Sequence, residues 1–135
     1  MQQQFHAEFV ITEACNLDCP YCYMTHKNTY MSLDVFKEHL ELLPKIMKEY
    51  NAETYQASIF GGEPLLNFEL IKEILPILTS DHKCRSIVMP TNGLLLNQEK
   101  LNFLEQHKVG VSWSFDGLWH HKRVSGFYGR KFLLV

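Results

Sequence analysis

The stretch FHAEFVITEACNLDCPYC, residues 5–22, joins an extended apolar run to three closely spaced cysteines. Its first eight residues, FHAEFVIT, are typical of a β-strand. Cys15, Cys19 and Cys22 then lie within the eight positions 15–22, whereas the fourth cysteine, Cys84, is remote in sequence. Placing three of four cysteines directly after one strand predicts a loop with metal or redox chemistry at the end of that strand.

Extended and helical segments alternate along the rest of the chain. Strands are predicted at 54–60, 85–90 and 109–115, and helices begin after three capping residues, Ser32, Asn67 and Asn97. Pro44 is expected to kink or split the first helix, and Pro76 to cut into the last turn of the second. Strand then helix, three times over with a fourth strand begun, predicts an α/β fold with a parallel sheet and covering helices.

Three further motifs each follow one of the predicted strands: GGEP (61–64), TNG (91–93) and SFDG (114–117). Because ligands bind at the carboxyl ends of the strands in parallel α/β folds, these motifs and the cysteines are expected to line one rim. Each motif alone has a simpler interpretation. GGEP and TNG are also ordinary turn sequences, and Asp-Gly between apolar runs is a hairpin signal, so a hairpin over 109–124 remains an alternative.

The C-x3-C-x2-C spacing allows three thiolates to hold one metal centre from a single loop. An iron–sulfur cube usually takes four cysteine ligands, so three would leave one iron open, as in catalytic rather than structural metal sites. The alternative is a zinc ion held by these cysteines together with His26, a Cys3His set. Cys84 stands apart and is expected to pack rather than to ligate.

Composition restricts the choice of partners. The 135 residues include 13 Lys+Arg and 15 Asp+Glu, a net charge of −2 that gives no reason to expect binding to nucleic acid or membrane. The basic residues of 118–135 are expected to form a solvated surface rather than an anion site. No signal sequence or long apolar run is apparent, which predicts a cytoplasmic protein with reduced thiols.

Taken together, these motifs resemble those of the radical S-adenosylmethionine (radical SAM) superfamily. CNLDCPYC is similar to its C-x3-C-x-Φ-C signature, and the other motifs occur in the family's order, most like the peptide- and protein-modifying branch that includes anaerobic sulfatase-maturating enzymes. The resemblance implies a [4Fe-4S] cluster on Cys15, Cys19 and Cys22, with S-adenosylmethionine on the open iron. It further implies cosubstrate contacts from the remaining motif residues: Tyr21, Gly62, Glu63, Asn92, Ser114 and Asp116.

The same resemblance implies an activity. A one-electron reductant would reduce the cluster, S-adenosylmethionine would be cleaved to methionine and a 5′-deoxyadenosyl radical, and that radical would abstract hydrogen from a peptide or protein substrate. The competing interpretation is a non-catalytic iron–sulfur or zinc module that serves as an interaction half.

The chain departs from the family in length. The family fold is a partial (β/α)6 barrel, and six units of roughly 30 residues need more chain than is present here. Residues 1–135 are therefore expected to form an incomplete, N-terminal portion of the core domain with about four parallel strands. Three explanations are open: a fragment of a longer protein, a half-barrel completed by a partner chain or a homodimer, and a minimal variant. An open parallel edge tends to associate, which favours a fragment or a half that needs a partner.

Overall fold

The computed structural model describes residues 4–114, which form four strands and three α-helices in alternation. In chain order these are β1 (Phe5–Thr12), α1 (Leu33–Glu49), β2 (Tyr55–Gly61), α2 (Phe68–Ser80), β3 (Cys84–Thr91), α3 (Gln98–Gln106) and β4 (Val109–Trp113), with a short 3₁₀ helix, Pro64–Asn67, leading into α2. All three strand pairings are parallel and the strand order is β1-β2-β3-β4. The predicted α/β fold with four parallel strands is confirmed.

The core lies between the sheet and its helices. Alternate residues of β1 and β2 are buried, including Phe9 beside Ile59 in the register, which is the period-two pattern of a sheet with one covered face. From the helices, Ile71, Ile74 and Leu78 of α2 are fully buried. The parallel register aligns the carboxyl ends of the strands, so the loops that follow them meet at one rim.

Pro44 was predicted to kink or split the first helix, and the predicted split is wrong. α1 runs unbroken through Pro44, with Ser32 as its N-cap accepting a hydrogen bond from the backbone N–H of Val35. Proline removes one backbone hydrogen bond, but Phe36 before it and Met47 after it are both buried against the core. Packing on either side of the proline stabilises the continuous helix.

The second helix also differs in two details from the sequence prediction. It continues through Pro76 to Ser80, where the hydroxyl groups of Thr79 and Ser80 donate to the carbonyl oxygen of Pro76. Asn67 occupies the N-cap position but makes no side-chain cap. Its side-chain amide instead donates to the carbonyl oxygens of Ile11 and Met31, which ties the two ends of the loop after β1 together.

The last described strand is shorter than predicted. β4 ends at Trp113, and Phe115 and Asp116 of the SFDG motif lie outside the described residues, as do the proposed hairpin turn and the basic segment 118–135. Cys84 begins β3 at the amino end of the sheet, away from the rim, and packs against the core as predicted. None of the helices within residues 4–114 is long and apolar enough to cross a membrane.

Candidate functional site

A cavity of about 410 Å³ opens at the carboxyl ends of the strands. Of the nine predicted site residues, seven line it: Cys15, Cys19, Cys22, Tyr21, Gly62, Asn92 and Ser114. Glu63 lies behind the wall of the cavity, and Asp116 is outside the described residues. The fold therefore brings the separate motifs to one place, as the strand-end argument predicted.

All three clustered cysteines are free thiols on the loop after β1, residues 13–31, which we call the cysteine loop. Cys15 and Cys19 are half-buried and Cys22 is exposed. Burial raises the pKa of the Cys15 thiol, and nearby negative charge on Glu63, Cys19 and Cys22 raises it further, while the backbone N–H of Leu17 lowers it. A positive centre among the three sulfurs would relieve this repulsion and favour the thiolates.

The three sulfurs face one cavity without converging on one point. Among residues 4–114, no three His, Cys, Asp or Glu side chains are arranged to hold a single metal ion. His26, the fourth member of the alternative zinc set, also lines the cavity, and its Nε2 lies 3.4 Å from the Sγ of Cys22.

The ends of the cysteine loop are pinned to one another. The Oγ1 of Thr12, at the end of β1, donates to the carbonyl oxygen of Thr29 at 2.7 Å and accepts from the N–H of Ala14 at 3.1 Å. Thr29 in turn donates through Oγ1 to the carboxylate of Glu13 at 2.6 Å. Thr12 also forms an isolated antiparallel bridge with Tyr30. The thiols are thus carried by a loop whose base is fixed to the sheet.

The GGEP turn lies directly against this loop. The N–H of Gly62 donates to the carbonyl oxygen of Thr12 at 3.0 Å, and the N–H of Glu63 donates to that of Ala14 at 2.8 Å. A Cβ at Gly62 would stand 2.3 Å from the carbonyl oxygen of Ala14. The family resemblance implies a cosubstrate contact at Gly62. The structure shows that Gly62 first allows close approach of the neighbouring backbone.

Glu63 joins the GGEP and TNG turns from inside the protein, with only 1% of its surface exposed. Its Oε1 accepts from the Thr91 hydroxyl at 2.7 Å and from the Leu65 N–H at 3.1 Å, and its Oε2 accepts from the Asn92 N–H at 2.8 Å. Burial raises the pKa of this carboxyl group, and the hydrogen bonds from Asn92, Thr91 and Leu65 oppose that rise. The carboxylate therefore fixes the relative position of two rim turns.

Asn92 extends this network to the cysteine loop. Its Nδ2 donates to the Oδ1 of Asn16 at 2.8 Å, across 76 positions of sequence. Its carbonyl oxygen accepts from the indole N–H of Trp113 at 2.9 Å, and the N–H of Ser114 donates to the carbonyl oxygen of Thr91 at 2.8 Å. Asn16, Thr91 and Trp113 were not predicted as site residues, although each lies within or beside a motif at a strand end.

A parallel α/β sheet with three free thiols in a cavity at its carboxyl end defines a class of protein: a parallel α/β domain whose candidate site lies at the rim where such folds bind ligands. The sequence profile of the radical SAM superfamily matches residues 9–126. The chain belongs to that superfamily.

Its relatives include proteins with different named activities. The serine-type anaerobic sulfatase-maturating enzyme of Bacteroides thetaiotaomicron is 33% identical over 111 residues, covering 76% of this chain and 27% of that protein. GTP 3′,8-cyclase of Chlorobaculum tepidum is 30% identical over 121 residues, covering 89% of this chain and 35% of that protein.

A solved structure, native anSMEcpe with bound AdoMet and Cp18Cys peptide, has the same fold over 87% of this chain, with a TM-score of 0.66 at 23% identity. The match covers 32% of that longer chain. The chain spans between about a quarter and two fifths of the length of the curated relatives it matches. The expected fold class, an N-terminal part of a partial (β/α)6 barrel with four parallel strands, is confirmed.

Proposed function

We propose that this chain forms the cofactor-binding part of a radical SAM enzyme, with a [4Fe-4S] cluster on Cys15, Cys19 and Cys22 and S-adenosylmethionine in the adjoining cavity. The observation that carries the proposal is the meeting of all three thiols with the GGEP and TNG turns around one cavity of about 410 Å³. When bound, the reduced cluster supplies the electron that cleaves S-adenosylmethionine to a hydrogen-abstracting 5′-deoxyadenosyl radical.

The donor set suits a cluster better than a single ion. A tetrahedral zinc ion needs four donors about 2.0–2.3 Å from one point, and the described residues offer no such convergence. A cube binds its three thiolates on three different irons, and Cys15, Cys19 and Cys22 line one cavity from a single loop. Burial and neighbouring negative charge raise the pKa of the half-buried Cys15 thiol, and a positive centre beside it would favour its thiolate.

The rim turns would hold the cosubstrate beside the cluster. Gly62 exposes main-chain atoms at the cavity wall, and the Glu63 carboxylate behind it can accept one more hydrogen bond beyond its present three. Both suit an ammonium group. Tyr21, an exposed aromatic ring at the cavity, suits the adenine, while Ser114 suits ribose hydroxyls, with Asp116 and Asn92 as further polar contacts. The chain's own contribution is to bind and orient the cosubstrate.

We further propose a peptide or protein as the substrate. The relatedness to a sulfatase-maturating enzyme and the shared fold with a peptide-bound structure support it. The similarity to a GTP cyclase makes a nucleotide the competing substrate class. A one-electron reductant is required for turnover. Residues 1–135 would be an incomplete core domain in the cytoplasm, completed by further barrel strands from the rest of a longer protein, from a partner chain or from a second copy.

Anaerobic reconstitution of the full 135-residue chain tests the assignment. We expect close to four irons and four sulfides per chain, a brown protein, and S-adenosylmethionine binding by calorimetry. Cys19→Ala should lose the cluster, whereas Cys84→Ser, at the opposite end of the sheet, should keep it. A colourless chain holding one zinc and no sulfide would refute the proposal. Release of 5′-deoxyadenosine under dithionite would extend it to catalysis.

One contact favours a second candidate, the non-catalytic zinc module. The 3.4 Å approach of His26 to Cys22 would be expected if both bound one ion. In that case zinc content, and not iron content, should fall in His26→Ala, and no 5′-deoxyadenosine should be released under any reductant.

A further inference from the structure

His26 is not one of the three proposed cluster ligands, yet it lies at the candidate cluster site. Its ring lines the same cavity as the three thiols, and its Nε2 lies 3.4 Å from the Sγ of Cys22. The two residues are four positions apart on one loop, where a turn closed by the Cys22 N–H and the Cys19 carbonyl oxygen sets the path of the backbone.

The observed contact of His26 is with a sulfur atom. The ring approaches one sulfur atom, and no three donors among residues 4–114 surround a single point that His26 could complete. An imidazole nitrogen that carries hydrogen is a donor, and a metal-bound thiolate sulfur can only accept. The contact is therefore of the kind by which residues outside the ligand set adjust a metal centre.

We propose that His26 donates an N–H hydrogen bond from Nε2 to the Sγ of Cys22 and thereby raises the reduction potential of the cluster. This inference rests on the proposed function. Reduction adds one negative charge to the cluster and its sulfurs, so a hydrogen-bond donor at one sulfur stabilises the reduced form more than the oxidised form. His26 is then a positioning residue that makes the cluster easier to reduce.

The experiment compares the reconstituted wild-type chain with His26→Ala and His26→Gln. The glutamine amide places an N–H near the position of the imidazole Nε2, so it should restore part of the effect. His39→Ala, on the exposed face of α1, is the matched control. Midpoint potentials are measured by anaerobic redox titration followed by electron paramagnetic resonance, together with iron and sulfide content.

We expect His26→Ala to keep its iron and sulfide but to lower the reduced-to-oxidised ratio at a fixed potential about tenfold, equivalent to about 59 mV for a one-electron couple. His26→Gln should fall between it and the wild type, and His39→Ala should match the wild type. An unchanged potential in His26→Ala would overturn this inference and leave the proposed function intact. Loss of metal in His26→Ala would overturn it by making His26 a ligand. A wild-type chain that forms no cluster would refute the proposed function, and this inference with it.

Discussion

Replacing Glu63 by glutamine tests the network that joins the rim turns. The two oxygens of the carboxyl group each accept from a different backbone N–H, that of Leu65 at Oε1 and that of Asn92 at Oε2. Glutamine has the same shape but only one oxygen. Whichever way the amide turns, one of these buried N–H groups faces an NH₂ group and loses its acceptor. The same holds whether the native carboxyl group is ionised or protonated, because both of its oxygens can accept in either form.

The loss of stability in Glu63→Gln follows from the one buried N–H group that is left without an acceptor. A buried polar group left without a partner costs about 1–3 kcal/mol, more when the lost bond involved a charge. For a chain of this size, 1 kcal/mol corresponds to about 4 °C in the unfolding midpoint. We therefore expect Glu63→Gln to lower the midpoint by about 4–12 °C.

Thermal and urea unfolding of the metal-free chain, kept reduced, measure this effect. Glu38→Gln on the exposed face of α1 is the matched control, and its stability should stay within about 0.5 kcal/mol of the wild type. If Glu63→Gln is as stable as Glu38→Gln, the carboxyl group does not bridge the two turns, and the account of the rim given above is wrong.

Three further outcomes concern the same rim. Burial raises the pKa of the Glu63 carboxyl group, so the folded state binds the carboxyl proton more tightly than the unfolded state. The free energy of unfolding of the wild type should therefore fall as pH rises from about 4.3 through the folded pKa, and urea unfolding of Glu63→Gln should lack this fall. Gly62→Ala puts a Cβ 2.3 Å from a carbonyl oxygen of the cysteine loop and should lower both stability and iron uptake. Gly110→Ala, with only ordinary contacts at 3.5 Å, should leave both near wild type, and equal effects of the two substitutions would contradict the predicted clash at Gly62. Asn16→Ala removes the hydrogen bond to Asn92, worth about 0.5–1.5 kcal/mol. Hydrogen exchange should become faster at the cysteine-loop amides and stay unchanged in α2, whereas wild-type exchange rates at the cysteine-loop amides would show that the loop is held without this bond.

The sequence predicts the framework of this fold because the framework depends on local patterns. The bounds predicted for β1, residues 5–12, are those in the structure, since apolar residues alternate along FHAEFVIT. Ser32 and Asn97 cap their helices as expected, each accepting from the N–H three residues on. The unbroken helices at Pro44 and Pro76 were missed because the cost of a proline is local, whereas the packing that outweighs it comes from the sheet.

The sequence predicts which residues lie at the site but not which hydrogen bonds join them. Parallel topology alone brings the cysteines, GGEP and TNG to one rim, and this could be inferred from motif order. The partners of Glu63 could not be inferred, because Thr91 and Asn92 lie 28 and 29 positions away and turn sequences do not specify which donors face inward. Asn16 was overlooked for the same reason: its partner, Asn92, is set by the register between distant loops.

The strand order follows the chain order, so the rim motifs occur in space in the same sequence as along the polypeptide. Within residues 4–114, the return connections from a helix to the next strand, at residues 50–54, 81–83 and 107–108, therefore lie at the far end of the sheet. Those three connections are the natural places to insert a tag, graft a second domain or open new termini, because lengthening them changes the route of the chain without altering the spacing between the thiols and the turns beside them.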